Sequence, residues 1–402
     1  MGKRTDWTDD QLANAVLEAG GNLTEAARYI NRTYKDIIKE DGLSRVTRQN
    51  LQTWTDKTPS LTALTDQSKL LVANRRVTLQ NTALRRENKL LTGMHVSRDD
   101  ILRGIEKASQ RASEATVLPF WPKQAKGKGL TIELLFSDLQ VGKLMDDYNS
   151  EVAERRVNEW VVVALDRINQ YIELGYRIDR IVLAVLGDVI ESSQKHGLQS
   201  ARACDTGTAE QIRHATEILF QVVQRLSQVG VPMDVICITG NHDWDGHGLF
   251  MFNPGKEQLS WPLYKAVEAM CSIAGYDAEF YIPQGAFHVH DIYGTKVLYE
   301  HGVGVGANYN QMKNHLAKRT DQLKSYITLF RMGDKHNISQ FNNNRLVVNG
   351  AFFGDSRSGE EYSGIAGYDG EPAQIMFAHT RRTDDRRTTI FDSLAIQLGH
   401  IT

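Results

Sequence analysis

The chain has 402 residues, 41% of them hydrophobic and 24% charged, with a formal net charge of -2. That length allows two domains and a substantial core, while no apolar run reaches the ~18–20 residues of a membrane-spanning helix. The opening Met-Gly-Lys-Arg-Thr-Asp-Trp lacks the apolar centre of a signal peptide, and Cys204, Cys237 and Cys271 are too few for a disulfide framework or a cysteine-rich zinc site, so a reducing, cytoplasmic setting without membrane contact is expected.

Residues 9–19 place Leu12, Ala15 and Val16 on one helical face before Gly20 and Gly21 stop the helix. Asn22, with Glu25 three residues on, signals the start of a second helix carrying Ala26, Ala27 and Ile30. A third helix is expected from near Ser44 through Arg45, Arg48, Gln49 and Asn50 to Trp54, after a long connection over residues 32–43. A strongly helical stretch follows at 68–91, where Leu70, Val77, Leu84 and Leu91 recur every seven residues but supply only half of a coiled-coil seam. Ser97 with Asp99 and Asp100 caps a further helix to about residue 114. Periodicity then ends at Pro119–Gly129, which marks the expected domain boundary. Residues 1–129 carry 22 Lys and Arg against 15 Asp and Glu, a net of +7; the remainder carries 25 against 34, a net of -9. A basic segment beside an acidic one points to a polyanion contact next to a carboxylate-rich site.

From residue 130 strands alternate with helices. Leu130–Phe136 is a strand ending in Ser-Asp138-Leu-Gln140-Val-Gly142. A helix spans about 151–173, and the apolar strand Ile181–Leu186 runs into Gly187-Asp188. A helix over about 207–228 leads to the strand that ends in Gly240-Asn241-His242-Asp243. A helix over 256–273 precedes the short strand Val297–Tyr299, which ends in Glu300-His301-Gly302. Another helix is followed by Leu329-Phe-Arg-Met-Gly333-Asp334-Lys335-His336, and strands close the chain at Arg345–Val348, Ala373–Ala378 and Thr388–Ile396.

Five strand ends therefore deliver Asp138 with Gln140, Asp188, Asn241 with His242, His301, and Asp334 with His336. In α/β sheets ligands gather outside the carboxyl ends of strands. Oxygen and imidazole donors without thiolates suit Mn²⁺, Fe or Mg²⁺ better than structural zinc.

In order and spacing, Asp-x-Gln-x-Gly, Gly-Asp, Gly-Asn-His-Asp, His-Gly and Gly-Asp-x-His resemble the calcineurin-like metallophosphoesterase pattern over about residues 130–340, and within it the SbcD-type repair nucleases and their phage-encoded relatives. The resemblance implies an α/β fold of two facing sheets flanked by helices, here preceded by a mostly helical N-terminal region. It also implies two divalent ions, Mn²⁺ foremost with Mg²⁺ or Fe as alternatives. One would be held by Asp138, Gln140, Asp188 and His336, the other by Asp188, Asn241, His301 and Asp334, with Asp188 shared. His242 would protonate the leaving oxygen or clamp the phosphate, and Asp243 would orient the His242 ring. The family usually has histidine where this chain has Gln140 and Asp334, which implies a weaker first site and a more negative second one. Gly20–Ile30 resembles the opening of Fis-type helix-turn-helix modules, which implies base and phosphate contacts from Arg45, Arg48, Gln49 and Asn50.

Three functions follow as expectations: a metal-dependent DNA nuclease, a nucleotide or small-molecule phosphodiesterase whose arm serves assembly, and a DNA-binding or scaffold protein with a degenerate metal site. The expected organisation is a helix-turn-helix-like module at 1–58, a basic helical connector at 59–128 and a phosphoesterase domain at 129–402. DNA is the expected partner; a homo-oligomer is a further expectation, and a partner ATPase is what the repair-nuclease resemblance suggests. Glu191 lies three residues past Asp188 and could support the site, and His247 sits close behind Asn241-His242-Asp243. His288 and His290 share one face of a strand, which an exposed polar surface explains better than a third metal.

Overall fold

The computed structural model describes residues 7–19, 22–40, 45–57, 77–78, 80–82, 84–85, 126–193, 202–243, 255–354, 370–381 and 389–401. The chain divides into two compact units, Met1–Gly93 and Met94–Thr402. Of the helix expected over 68–91, residues 77–78, 80–82 and 84–85 are described and helical. The helix capped at Ser97, His247 and all but the last four residues of Pro119–Gly129 lie outside the described residues.

In the first unit, α1 (Asp9–Glu18) begins with a reciprocal cap between Thr8 and Gln11. Asn22 caps α2 (Leu23–Thr33) by accepting from the N–H groups of Thr24 and Glu25, which satisfies two of the donors that a helix start leaves unpaired. The long connection contains a short helix, α3 (Lys35–Glu40). The third expected helix starts later than Ser44: α4 spans Arg48–Lys57. Thr47 and Asn50 set that start, because Asn50 N–H donates to Thr47 Oγ1 at 3.2 Å and Thr47 N–H to Asn50 Oδ1 at 3.0 Å. Just before it, Asn31 clamps the backbone of Val46 through both its amide nitrogen and its oxygen. Leu12, Ala15, Val16, Ala26, Ala27, Ile30, Val46 and Leu51 form the small core of this unit.

The second unit holds two sheets. The six-stranded sheet consists of β1 (Gly129–Phe136), β2 (Arg177–Val185), β3 (Met233–Cys237), β4 (Ala278–Tyr281), β10 (Ala373–Thr380) and β11 (Ile390–Gln397), in the order β11-β10-β1-β2-β3-β4. The five-stranded sheet consists of β5 (Phe287–Ile292), β6 (Thr295–Glu300), β7 (Leu329–Met332), β8 (Ser339–Phe341) and β9 (Leu346–Val348), in the order β5-β6-β7-β9-β8. Among the described residues four α-helices accompany them: α5 (Ser150–Glu173), α6 (Thr208–Leu226), α7 (Ser260–Ala274) and α8 (Tyr309–Gln322).

Strand alternation assigns the layers. In β1, Leu130, Ile132, Leu134 and Phe136 join the core made with α5, α6 and α7, whereas Leu135 joins Val182, Ala184 and Ile236 in a second core. That second core also contains Val297, Tyr299, Leu329 and Val347 from the other sheet, so it lies between the sheets. On the far side Leu298, Phe330, Met332, Leu346 and Val348 pack with Met312 and Leu316 of α8. The layers run helix, sheet, sheet, helix: the two-sheet αββα sandwich that the sequence led us to expect. Strands β1, β2 and β3 are mutually parallel, as are β6, β7 and β9, so each set delivers its carboxyl ends to one edge.

Candidate metal centre

Each expected ligand lies within four residues of the end of one of those parallel strands, and the loops that carry them are interlocked. Asp138 N–H donates to Gly187 C=O at 3.1 Å, Gln140 N–H to Asp188 C=O at 2.9 Å, and Gly333 N–H to His301 C=O at 2.9 Å. Asp138 (φ 54°), Gln140 (44°), Asp188 (53°), Asp334 (65°) and His336 (58°) all occupy the left-handed backbone region. Such conformations cost about 1–3 kcal/mol each and persist where the surroundings over-determine them, commonly at functional sites. Two glycines are required by close approach. A Cβ on Gly240 would stand 2.0 Å from Asp188 Oδ1, and one on Gly187 would meet Gly240 N at 2.7 Å and His301 Nδ1 at 2.9 Å.

The side chains converge as two groups. Around His301, Nε2 stands 2.8 Å from Asn241 Oδ1, 3.2 Å from Asp188 Oδ2 and 3.7 Å from Asp334 Oδ1. Its other nitrogen, Nδ1, stands 2.7 Å from the Leu186 carbonyl oxygen. A metal-binding histidine commonly donates its second N–H to such a carbonyl, which leaves the first nitrogen as the donor to the metal. In the second group, His336 Nε2 lies 3.7 Å from Asp138 Oδ1, and Asp334 N–H donates to Asp138 Oδ2 at 3.2 Å. Among the described residues, Asp138, Asp188 and His301 present ligand atoms that all lie within 4.8 Å of one another, every residue buried; this cluster could hold a metal ion.

Electrostatics also fits a cation. Burial, together with the Asp188 and Asp334 carboxylates, pushes Asp138 up to about 7 against the opposing pull of His301. Burial disfavours a charged His301, yet the carboxylates of Asp188, Asp334 and Asp138 override it and lift the imidazole to about 10. So many buried carboxylates need positive charge, which a divalent ion supplies in place of protons. Gln140 is fully buried, and neither its Oε1 nor its Nε2 has a hydrogen-bond partner. A buried amide left unbonded costs about 1–3 kcal/mol; ligation through Oε1 would recover part of that.

His242 borders this cluster, its N–H donating to Asp188 Oδ1 at 2.7 Å. The expected role of Asp243 is corrected. Its carboxylate accepts from the backbone N–H groups of Asp188 (3.1 Å), Val189 (3.1 Å) and Gly240 (2.6 Å), so it braces the turn that carries Asp188. At the His242 ring, Nδ1 lies 3.1 Å from the Glu191 carbonyl oxygen and 3.2 Å from Glu191 Oε2. Sequence reasoning noted Glu191 only as a support and missed Lys143, whose Nζ is 3.7 Å from Glu191 Oε2. The only signal was the place of Lys143 directly after Asp138-Leu-Gln140-Val-Gly142.

A second omission lies beneath Asp138. Asn349 donates to Ser137 Oγ at 3.0 Å, and Gln374 donates to the carbonyls of Ser137 (3.2 Å) and Gly350 (2.8 Å). The side chains of Ser137, Asn349 and Gln374 are fully buried. His288 and His290 lie on β5, and the expected exposed face is not found: the His290 side chain is only 10% exposed, with Nε2 3.0 Å from Asp234 Oδ2, and His288 Nε2 is buried. In the first unit, Arg45, Arg48, Gln49 and Asn50 are all exposed; Arg45 precedes α4, and the Asn50 side chain is engaged by Thr47.

No family model matches the chain, and the search of curated proteins finds no match. Among solved structures it is similar to Vps29 of Entamoeba histolytica in complex with Zn²⁺, at 12% identity over 66% of this chain and 99% of that one, with a TM-score of 0.25. It is similar to a conserved Streptococcus pneumoniae TIGR4 protein described as a predicted phosphoesterase, at 12% identity over 67% and 98%, with a TM-score of 0.24. A Saccharomyces cerevisiae serine/threonine phosphatase aligns at 10% identity over 77% and 92%, with a TM-score of 0.25.

Proposed function

We propose that this chain is a calcineurin-like metallophosphoesterase acting as a metal-dependent DNA nuclease. The observation that carries the phosphoesterase reading is the gathering of Asp138, Asp188 and His301 within 4.8 Å, with Asn241 and Asp334 at His301 and His336 at Asp138. Asp138, Gln140, Asp188 and His336 would hold one divalent ion, and Asp188, Asn241, His301 and Asp334 the other, with Mn²⁺ foremost. Bound there, the ions supply Lewis acidity that neutralises phosphate charge and makes water a nucleophile near neutral pH. The protein's own part is positional. His301 keeps Nε2 toward the carboxylates through its Nδ1 contact with Leu186. His242 keeps Nδ1 at Glu191, so Nε2 is the atom that gives a proton to the leaving oxygen. Asp243 braces the turn on which Asp188 stands.

DNA as substrate is supported by the resemblance to SbcD-type and phage-encoded nucleases and by the +7 excess of residues 1–129. A second reading, hydrolysis of nucleotides or small phosphodiesters with the arm serving assembly, is favoured by one detail. Residues 1–57 carry 9 Lys and Arg and 9 Asp and Glu, so the helical module itself is neutral. Incubating purified protein with supercoiled DNA, linear DNA and a chromogenic phosphodiester, each with Mn²⁺, Mg²⁺ or EDTA, tests both readings. Metal-dependent cleavage of the chromogenic ester without DNA cleavage would decide for the second. No hydrolysis of any substrate by metal-loaded protein would remove both and leave a scaffold with a degenerate site.

A further inference from the structure

We propose that Lys143 is a positioning residue that holds the Glu191 carboxylate against the imidazole of His242. The Lys143 side chain is only 8% exposed, with Nζ 3.7 Å from Glu191 Oε2 and 4.5 Å from the centroid of the Phe353 ring. The same Oε2 stands 3.2 Å from His242 Nδ1, so one carboxylate oxygen lies between an ammonium and an imidazole. Taking an ammonium out of water is expensive, and a close carboxylate and an aromatic face offset that cost. A charge held at such expense in this place points to a task beyond packing.

The backbone makes the arrangement stiff. Lys143 belongs to the loop that carries Gln140, its N–H donating to Gln140 C=O at 3.0 Å, and Glu191 N–H donates to Val141 C=O at 3.0 Å. Glu191 in turn belongs to the loop that carries Asp188. The Lys143–Glu191 contact therefore links two ligand-bearing loops to the ring that borders both. Phe353 closes the far side, touching His336 edge-on at 4.7 Å between centroids. Nδ1 of His242 keeps the Glu191 carbonyl oxygen at 3.1 Å, so removing the ammonium would act on the ring by letting the carboxylate turn away and withdraw its charge from Nδ1, while the metal ligands themselves stay in place.

The test rests on the phosphoesterase reading for its kinetic arm and is independent of it in its spectroscopic arm. Lys143→Met keeps the stem packed on Phe353 and deletes the charge; Lys143→Gln serves if that variant does not fold. With an alkyl phosphodiester, whose leaving oxygen needs a proton, kcat should fall about 10–100-fold with KM and bound metal unchanged, the scale of a misplaced catalytic group. With a p-nitrophenyl phosphodiester, whose leaving group needs little protonation, the loss should stay below about threefold. Lys143→Arg should recover part of the alkyl-ester activity. In ¹⁵N-histidine-labelled protein, the ring signal that disappears in His242→Ala should move in Lys143→Met and hold in Lys143→Arg. An unmoved His242 signal in Lys143→Met overturns the proposal even if wild-type protein hydrolyses nothing. A raised KM at constant kcat overturns it in favour of a phosphate contact, and equal loss on both esters or loss of metal overturns it in favour of a structural role.

Discussion

Glu133 of β1 and Arg331 of β7 form an ion pair between the two sheets, with Arg331 Nε 3.1 Å from Glu133 Oε1 and both side chains fully buried. His379 of β10 and Tyr299 of β6 complete the group, at 2.9 Å and 2.7 Å from the same carboxylate. Burial alone would raise the Glu133 pKa, but Arg331, His379 and Tyr299 together hold it down at about 2. A carboxylate depressed in the folded state contributes stability fully above its ordinary value of 4.5. That contribution is lost as pH falls through about 2. Wild-type stability should therefore decline across this window, and Glu133→Gln should flatten part of the decline. At neutral pH, Glu133→Gln or Arg331→Met should cost about 3–5 kcal/mol in urea unfolding, because each leaves a buried partner uncompensated. A much smaller cost, below about 1 kcal/mol and so no more than an exposed pair provides, would mean that the pair does not join the sheets energetically.

Asp188 and His242 should separate metal holding from proton transfer. Asp188 belongs to the buried cluster with Asp138 and His301, so Asp188→Asn should reduce bound metal and abolish turnover together. His242→Ala should keep metal content near that of the wild type while kcat falls about 10²–10⁴-fold. Elemental analysis beside initial rates checks both, and equal metal loss in the two variants would sink the division of roles.

Gln140 offers a neutral oxygen where imidazole would bind a transition metal more firmly. The first ion should leave on dialysis, activity should depend on added metal, and Mn²⁺ should support more of it than Mg²⁺. Gln140→His should tighten that site, measured as metal retained after gel filtration. Two ions retained by the untreated wild type would contradict the expectation.

Asp243 accepts backbone hydrogen bonds on both the Asp188 turn and Gly240. Asp243→Ala should therefore orphan buried N–H groups at about 1–3 kcal/mol each and lower thermal stability and metal affinity together. Were Asp243 instead an orienter of His242, kcat would fall with stability and metal content preserved.

Much of this centre was legible because strand ends announce themselves: mainly apolar runs stop at Gly187, Gly240 and Gly333, and polar residues follow. The sandwich was implied by the family resemblance those motifs carry, since alternation of strand and helix alone does not give two facing sheets. Other features were hidden for physical reasons. Glu133 interrupts an apolar strand, and its partners are 166, 198 and 246 residues away in sequence, so nothing local marks the ion pair. Asn349 and Gln374 reach the Ser137 beside Asp138 from 212 and 237 residues away. The role of Asp243 was misassigned because adjacency to His242 suggests contact, whereas its carboxylate turns back onto the backbone. The start of α4 was misplaced because residues 45–47 are not helical and the reciprocal bonds between Thr47 and Asn50 set the helix start.

In the N-terminal arm, charge and helices part company. Residues 1–57 hold the described helices α1 to α4 yet are neutral, whereas residues 58–129 carry 13 Lys and Arg against 6 Asp and Glu. Phosphate contacts release counterions and set the salt dependence of binding; base contacts set sequence preference. If the chain binds DNA as proposed, deleting residues 1–57 should erase any sequence preference but leave most of the salt slope. Deleting residues 1–125 should weaken binding and flatten the log-log salt slope by about 0.9 for each phosphate no longer neutralised. The longer deletion stops short of Lys128, whose carbonyl accepts from Arg177 N–H at 3.1 Å, so the edge of the sheet is kept. Hydrolysis of a small chromogenic phosphodiester should survive both, since every candidate ligand lies from Asp138 onward. Within the helical module, Arg45→Ala and Gln49→Ala should lower sequence preference, whereas Asn50→Ala should act through stability, because its side chain caps α4. Filter binding across a salt series measures the slopes. Should the protein lacking residues 1–125 keep full affinity and the same slope, the arm serves assembly, and the neutral helical module is the part to test for pairing with a second copy of the chain.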